Sequence, residues 1–281
     1  MKINKNIISL PISLLIITFI FTFTVGCSKI PFLNFAPDTI NNPNLLLGNP
    51  SAANANDPNN YLMIKPQFVL SYNRDKGIPN WVSWQINKSW LGPAERSNDF
   101  RPDDTLPKEW NRVTPSSYVK TGYDKGHMTP SADRSKTAED NSATFLMTNI
   151  IPQAPDNNRG YWENLESYSR NLANKGQELY VIAGSYGEKE KIGKGKVVVP
   201  DRIYKIIVAI QPGSGIKGIN KSTRVIAIDT PNQQNKKTPV QWTDFLTTVD
   251  ALEKRTGYDF LSNVDSAIQE VIESKVDKKL P

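Results

Sequence analysis

The 281-residue chain has a single histidine, His127, and a single cysteine, Cys27. One cysteine excludes an intramolecular disulfide, so the fold must be held by its core and not by covalent cross-links. One imidazole excludes a cage of several histidines or a histidine relay, and the two residues together are too few for a zinc site built from several His or Cys ligands. Any histidine chemistry therefore passes through His127. A large excess of one charge is also missing: 34 Lys and Arg stand against 28 Asp and Glu, a net of +6. Residues 1–26 carry Lys2 and Lys5 and no acid, so the remainder keeps +4. That balance agrees with a polyanionic partner and equally with an ordinary basic protein. No internal repeat is found. With 38% hydrophobic and 9% aromatic residues the chain is long enough to bury a real core and is not a disordered polymer.

Long apolar runs are limited to one, Ile7 to Phe23, preceded by the basic Lys2 and Lys5 and followed by Thr24, Val25 and Gly26. Residues 1–26 thus read as an export signal, with a periplasmic or extracellular destination expected. Cys27, directly after Gly26, resembles the bacterial lipobox, in which cleavage leaves a lipidated cysteine, although Thr24 stands where leucine is expected. Simple cleavage nearby and retention as an uncleaved anchor are the alternatives, since a spanning helix needs ~18 apolar residues. From Pro31 to Asn60 the chain is rich in Asn, Pro, Ala and Ser and almost uncharged, so residues 27–60 read as a tether. Residues 61–281 remain as one domain.

Inside that domain, residues 67–72 and 81–86 have strand composition and enclose a turn at 73–77, which predicts a hairpin. Residues 143–149, 178–184, 204–210 and 224–228 are further predicted strands, irregularly spaced, which favours an α+β fold over repeated parallel units. Gly193 to Lys196 is too short for a phosphate loop and reads as a hairpin turn before Val197. Helices are expected over 158–175 and 242–256. In the first of these, Tyr161, Leu165, Tyr168 and Leu172 share a core-facing side. Asn158, Trp162, Glu166 and Arg170 form a second stripe, four residues apart, that on its own reads equally as surface pairing. Trp81, Trp84 and Trp90 read as core before they read as stacking platforms.

His127 lies in Tyr123-Asp124-Lys125-Gly126-His127-Met128, and Asn158 follows 31 residues later, with Glu166 and Arg170 eight and twelve residues beyond it. This arrangement resembles the DNA/RNA non-specific endonucleases, whose pattern is Asp-Arg-Gly-His and then an Asn opening a helix that carries Glu and Arg. The likeness extends to Arg96, 31 residues before His127, to Asn149 in Thr148-Asn149-Ile150-Ile151-Pro152-Gln153, and to the closing 256–260, so that it spans about 65–275. Lys125 departs from the family's arginine. A guanidinium grips phosphate through two parallel donors while an ammonium acts as a point charge, so lowered activity or altered preference is expected but not loss of positive charge.

The resemblance implies a central, mostly antiparallel sheet with a ββα-metal (His-Me finger) core, in which a strand pair carries the histidine and the next helix the metal ligand. It implies hydrolysis of DNA and RNA to 5′-phosphate and 3′-hydroxyl ends. His127 is then the general base, Asn158 the direct ligand of Mg2+ (with Mn2+ as a substitute), and Glu166 the holder of metal-bound waters. Arg96, Lys125 and Arg170 sit on phosphate oxygens, and Asn149 orients the site. Magnesium prefers oxygen donors and keeps much of its water, so one amide oxygen is an adequate anchor. A base must be uncharged to act, which predicts falling activity below ~6.5, the ordinary imidazole value. No element suited to reading base edges is present, so contacts should fall on phosphate regardless of sequence. Two alternatives stay open: a catalytically silent nucleic-acid-binding lipoprotein, and an exported phosphodiesterase of small esters.

Overall fold

A computed structural model describes residues 42–234 and 240–279. The readings of an export signal at 1–26 and of a lipid-bearing Cys27 lie outside the described residues.

The strands form around long apolar runs. In chain order they are β1 (Tyr61–Ile64), β2 (Val69–Asn73), β3 (Ile78–Ile86), β4 (Asp124–His127), β5 (Ile150–Gln153), β6 (Glu178–Tyr186), β7 (Glu190–Ile192), β8 (Val197–Val199), β9 (Arg202–Ile210), β10 (Arg224–Pro231) and β11 (Leu246–Thr247). Seven of them make one sheet in the order β1-β2-β3-β6-β9-β10-β11, with every neighbouring pair antiparallel. β4 pairs with β5, and β7 with β8 across the turn expected at Gly193 to Lys196. The central strands read as unbroken apolar runs because both faces of the sheet are covered. Leu179, Val181 and Ala183 of β6 with Ile203 and Ile207 of β9 enter one core; Tyr180 and Ile182 with Tyr204, Ile206 and Val208 enter the other. The first core is closed by Met128, Ile150, Ile151, Trp162 and Leu165, and the second by Val249, Leu252, Phe260, Leu261 and Ile272. Trp81 and Trp84 are buried, one on each side, as expected of core residues.

The helices are α1 (Ala138–Ala143), α2 (Glu163–Asn174), α3 (Val249–Thr256) and α4 (Ser266–Ile272). Four expectations need correction, the last of them in the turn ahead of α2. Residues 143–149 are not a strand: α1 ends there and a 3-10 turn covers Met147–Asn149, because Thr137 caps α1 by accepting the amide of Asp140. The burial of Phe145 and Met147 at alternate positions imitates a strand without making one. The helix expected over 242–256 divides into a 3-10 turn at Trp242–Phe245, the short β11, and α3 capped by Thr248. The supposed tether is folded from Asn42 onward. Leu45, Leu47 and Ala53 cover the second core, and Asn44 accepts the amide of Gln85 while donating to the carbonyl of Pro66. Ser51 accepts the indole N–H of Trp81 at 2.8 Å. The asparagines that made this stretch look unstructured satisfy its backbone and fasten it to the sheet.

The turn ahead of α2 is wide: Asn157–Trp162 coils with a π-type repeat, kinked at Gly160 (φ −112°, ψ −114°). Asn158 is therefore not on the same regular helix as Glu166 and Arg170. Asn157, fully buried, pins this turn by accepting from Gln153 and donating to Thr230 and the carbonyl of Pro231.

Candidate active site

β4 and β5 run antiparallel with His127 opposite Ile150 and Gly126 opposite Ile151, and the chain then enters the wide turn and α2. Alternation along β4 puts Lys125 and His127 on one face and Gly126 on the other. A side chain at Gly126 would collide with Gln153, the residue that holds Asn157, so glycine is required where the strand pair meets the turn.

The elements surround a cavity of about 360 Å³, which is lined by Arg96, Lys125, His127, Asn158, Glu166 and Arg170, together with Ser131, Arg159 and Glu163. Six of the seven expected site residues are thus brought together from separate parts of the chain. Asn149 is not among them. It is buried completely and its side chain is spent on backbone: Oδ1 accepts the amide of Thr129, and Nδ2 donates to the carbonyls of Thr129 and Thr144, each at 2.9 Å. Its own carbonyl accepts the amide of Met128. Asn149 clamps the chain leaving His127, and is a positioning residue with no group facing the cavity.

The imidazole of His127 is held by aromatic rings, edge-to-face with Phe145 at 4.8 Å between centroids and tilted against Phe100 at 5.3 Å. Its Nε2 is sealed from solvent and has no partner. Burial, reinforced by the charges of Arg96 and Lys125, pushes its pKa down to about 3, so the ring is neutral across the physiological range. That environment moves the expected acid limb below the ordinary imidazole value.

Charge in the cavity is partitioned. Arg159 is tied to Asp124 through two hydrogen bonds, 2.8 and 2.6 Å, and Arg170 to Asp133 at 3.1 Å. Arg96 and Lys125, by contrast, make no ion pair among the described residues, although Glu163 and Glu166 act on Arg96 from a distance. Arg96 donates to Ser131 at 2.7 Å and lies over Phe145, and the ammonium of Lys125 lies 4.7 Å from the centre of Phe100. Two cations outside any ion pair, on a lining that also carries Glu163 and Glu166, leave guanidinium and ammonium donors available to an anion. Glu166 pairs with Lys205 at 3.1 Å, the lysine buried and the carboxylate half-buried at the cavity wall. Burial raises the Glu166 pKa against the pull of Lys205, and lowers that of Lys205 against the pull of Glu166.

Asn158 donates Nδ2 to Asp124 Oδ2 at 2.9 Å, which leaves its oxygen as the amide's donor atom toward a cation. That oxygen on the cavity lining suits a hard cation that keeps much of its hydration. No cluster of three carboxylates is found around the cavity among the described residues.

Several contributors were not anticipated. Asp124 lies within the quoted motif, and its position beside His127 was the available signal. Lys205 is a lysine inside the apolar run Ile203-Tyr204-Lys205-Ile206-Ile207, a signal that reads as snorkelling until its partner is known. Asp133, which also accepts the indole N–H of Trp84 at 2.9 Å, carried no local signal.

The model of the DNA/RNA non-specific endonucleases matches residues 48–267. The chain belongs to that family. A nuclease of Nostoc sp. is 54% identical over 261 residues, 90% of this chain and 94% of the relative. The human mitochondrial nuclease EXOG is 31% identical over 211 residues, 70% of this chain and 56% of that longer protein. A crystal structure of an EndoG/EndoGI complex superposes with a TM-score of 0.67 at 24% identity, covering 82% of this chain and 94% of the solved one, and so shares the fold. The expected fold class is thereby established: an α+β protein with a large antiparallel sheet and a His-Me finger core. Family membership makes the chain an endonuclease and nucleic acids its substrate class.

Proposed function

We propose that this endonuclease hydrolyses DNA and RNA without regard to sugar or base, using His127 as general base and Mg2+, with Mn2+ as a substitute, held by Asn158. The observation that carries this reading is the convergence of a neutral imidazole, an amide oxygen and two unpaired cations on one cavity. Because Nε2 is closed to solvent, Nδ1 takes the proton of the attacking water. The water oxygen bonds to phosphorus, the P–O3′ bond breaks, and the departing oxygen takes a proton from a water in the open cavity, giving 5′-phosphate and 3′-hydroxyl ends. Arg96, Lys125 and Arg170 bind phosphate oxygens and stabilise the added negative charge. Glu166 orders water at the Asn158 side of the cavity, its position fixed by Lys205. A divalent cation bound there supplies Lewis-acid stabilisation of the charge on the phosphoryl and leaving oxygens.

The test is digestion of supercoiled plasmid and of RNA by residues 28–281 with magnesium, manganese or chelator, beside Asn158→Ala. Cleavage of both substrates, its loss in chelator, and at least tenfold weaker apparent metal affinity in Asn158→Ala are expected. Full activity in chelator rules out the metal role. Failure to cut either polymer, with a chromogenic diester still hydrolysed, favours small esters as substrates. A protein that shifts DNA without cutting it is a binder alone.

The chain is proposed to act after export, anchored through lipid on Cys27. Intact-mass measurement of the membrane-extracted protein should show the N-terminal segment gone and Cys27 carrying acyl chains; an unmodified Cys27 refutes the anchor.

A further inference from the structure

On the opposite face of the sheet from the catalytic cavity, Asp250, Glu253 and Glu273 turn their carboxylates toward one another, with one oxygen of each inside a span of 4.8 Å. Asp250 and Glu253 are three residues apart on α3 and share its face. Glu273 ends α4, and its carbonyl accepts the amide of Asp250, which stitches the two helices together at this point. Like charges so placed repel, and none of the three has a Lys or Arg ion-pair partner among the described residues. Glu253 spends Oε1 on the amide of Phe260. Glu273 is the anomaly: the residue is 5% exposed, and its Oε1 is shut away from water with no hydrogen-bond partner. A buried carboxylate oxygen left unsatisfied costs about 1–3 kcal/mol or more, and native folds rarely leave one without a reason.

We propose that Asp250, Glu253 and Glu273 form a second cation site, distinct from the catalytic one, which takes a hard divalent ion of the calcium class and braces α3 against α4. Calcium binds carboxylate oxygens at about 2.3–2.6 Å, so oxygens that all lie within 4.8 Å of one another are close enough to share one such ion. An ion there gives the buried, unpartnered Glu273 carboxylate a counter-charge and offsets the repulsion among the three acids. Leu252 and Ile272, beside the cluster, are core residues of the second face, so the brace bears on the stability of that layer and leaves the chemistry alone.

The site stands independently of the nuclease mechanism and is tested by binding and stability. Calcium chloride is titrated into the full chain and into Asn158→Ala, Glu273→Gln and Asp250→Asn, by calorimetry and thermal unfolding. One calcium per chain with Kd on the order of 10⁻⁴ M is expected. At 10 mM calcium the wild type and Asn158→Ala should both gain about 5–10 °C in Tm. Glu273→Gln, and Asp250→Asn should Glu273→Gln fail to fold, should lose at least nine-tenths of that gain. A gain that survives both substitutions, one that vanishes in Asn158→Ala, or no binding by the wild type at 10 mM overturns the proposal; in the last case Glu273 is a buried acid that keeps its proton.

Discussion

Replacing His127 with alanine should lower kcat by about 10²–10⁴, the usual contribution of a positioned general base, while binding of nucleic acid changes little. The separation follows from the cavity, where Arg96 and Lys125 supply the attraction for phosphate and the imidazole supplies no charge. Gel shift in chelator measures the binding, and single-turnover cleavage with metal measures the chemistry; equal losses in both would remove His127 from the proton-transfer role. The pH profile is a second readout. For kcat/KM, which reports the free enzyme, the acid limb should lie more than one pH unit below 6.5, because burial and the two cations hold the ring at about 3. A limb centred on 6.5 contradicts the environment described for His127. Stability carries the same signature. The folded ring stays neutral while the unfolded one binds a proton below about 6.5, so the stabilising contribution is complete above that value. It drains away as pH falls toward 3, by at most ~1.4 kcal/mol per pH unit from this group.

The parts of this molecule that could be read from sequence are those whose determinants are local. The central strands announce themselves because both faces are buried, and the apolar runs of β6, β9 and β10 have no competing explanation. The meeting of the β4 motif with the helix carrying Glu166 and Arg170 was legible only through the family resemblance, since the stripe by itself reads as surface pairing. What was misread depends on partners far away in sequence. Residues 42–60 look like a tether until Asn44 reaches Gln85 and Ser51 reaches Trp81. Asn149 was expected to orient the site, but nothing local reveals that it would do so by spending its amide on Thr129 and Thr144. The stripe of Asn158, Trp162, Glu166 and Arg170 brought the right residues to the cavity for a partly wrong reason, because the kink at Gly160 separates the first turn from the helix. Trp162 is fully buried beneath the site and not on its lining.

Lys205 is the clearest instance of information that only the fold supplies, and it gives the largest expected effect on stability. The lysine points into the apolar core between Ile203 and Ile207. There its ammonium meets Glu166 at 3.1 Å and the face of Trp162 at 4.0 Å. Changing Lys205 to methionine keeps the volume but leaves Glu166 without its counter-ion, and breaking one side of a buried pair costs about 3–5 kcal/mol. Changing Glu166 to glutamine strands the ammonium at similar cost, softened by Asp133, which also holds the lysine's charge. The double variant Glu166→Gln/Lys205→Met removes both charges and should return to within roughly 1 kcal/mol of the wild type, since a well-packed neutral pair is often as stable as the ion pair it replaces. Denaturant unfolding of the four proteins measures the coupling; additive losses would show that the pair does not act as a unit. Activity should follow a different pattern. The double variant regains stability but not cleavage, because the carboxylate proposed to order water beside Asn158 is gone. Recovery of both would make Glu166 a structural partner of Lys205 and nothing more.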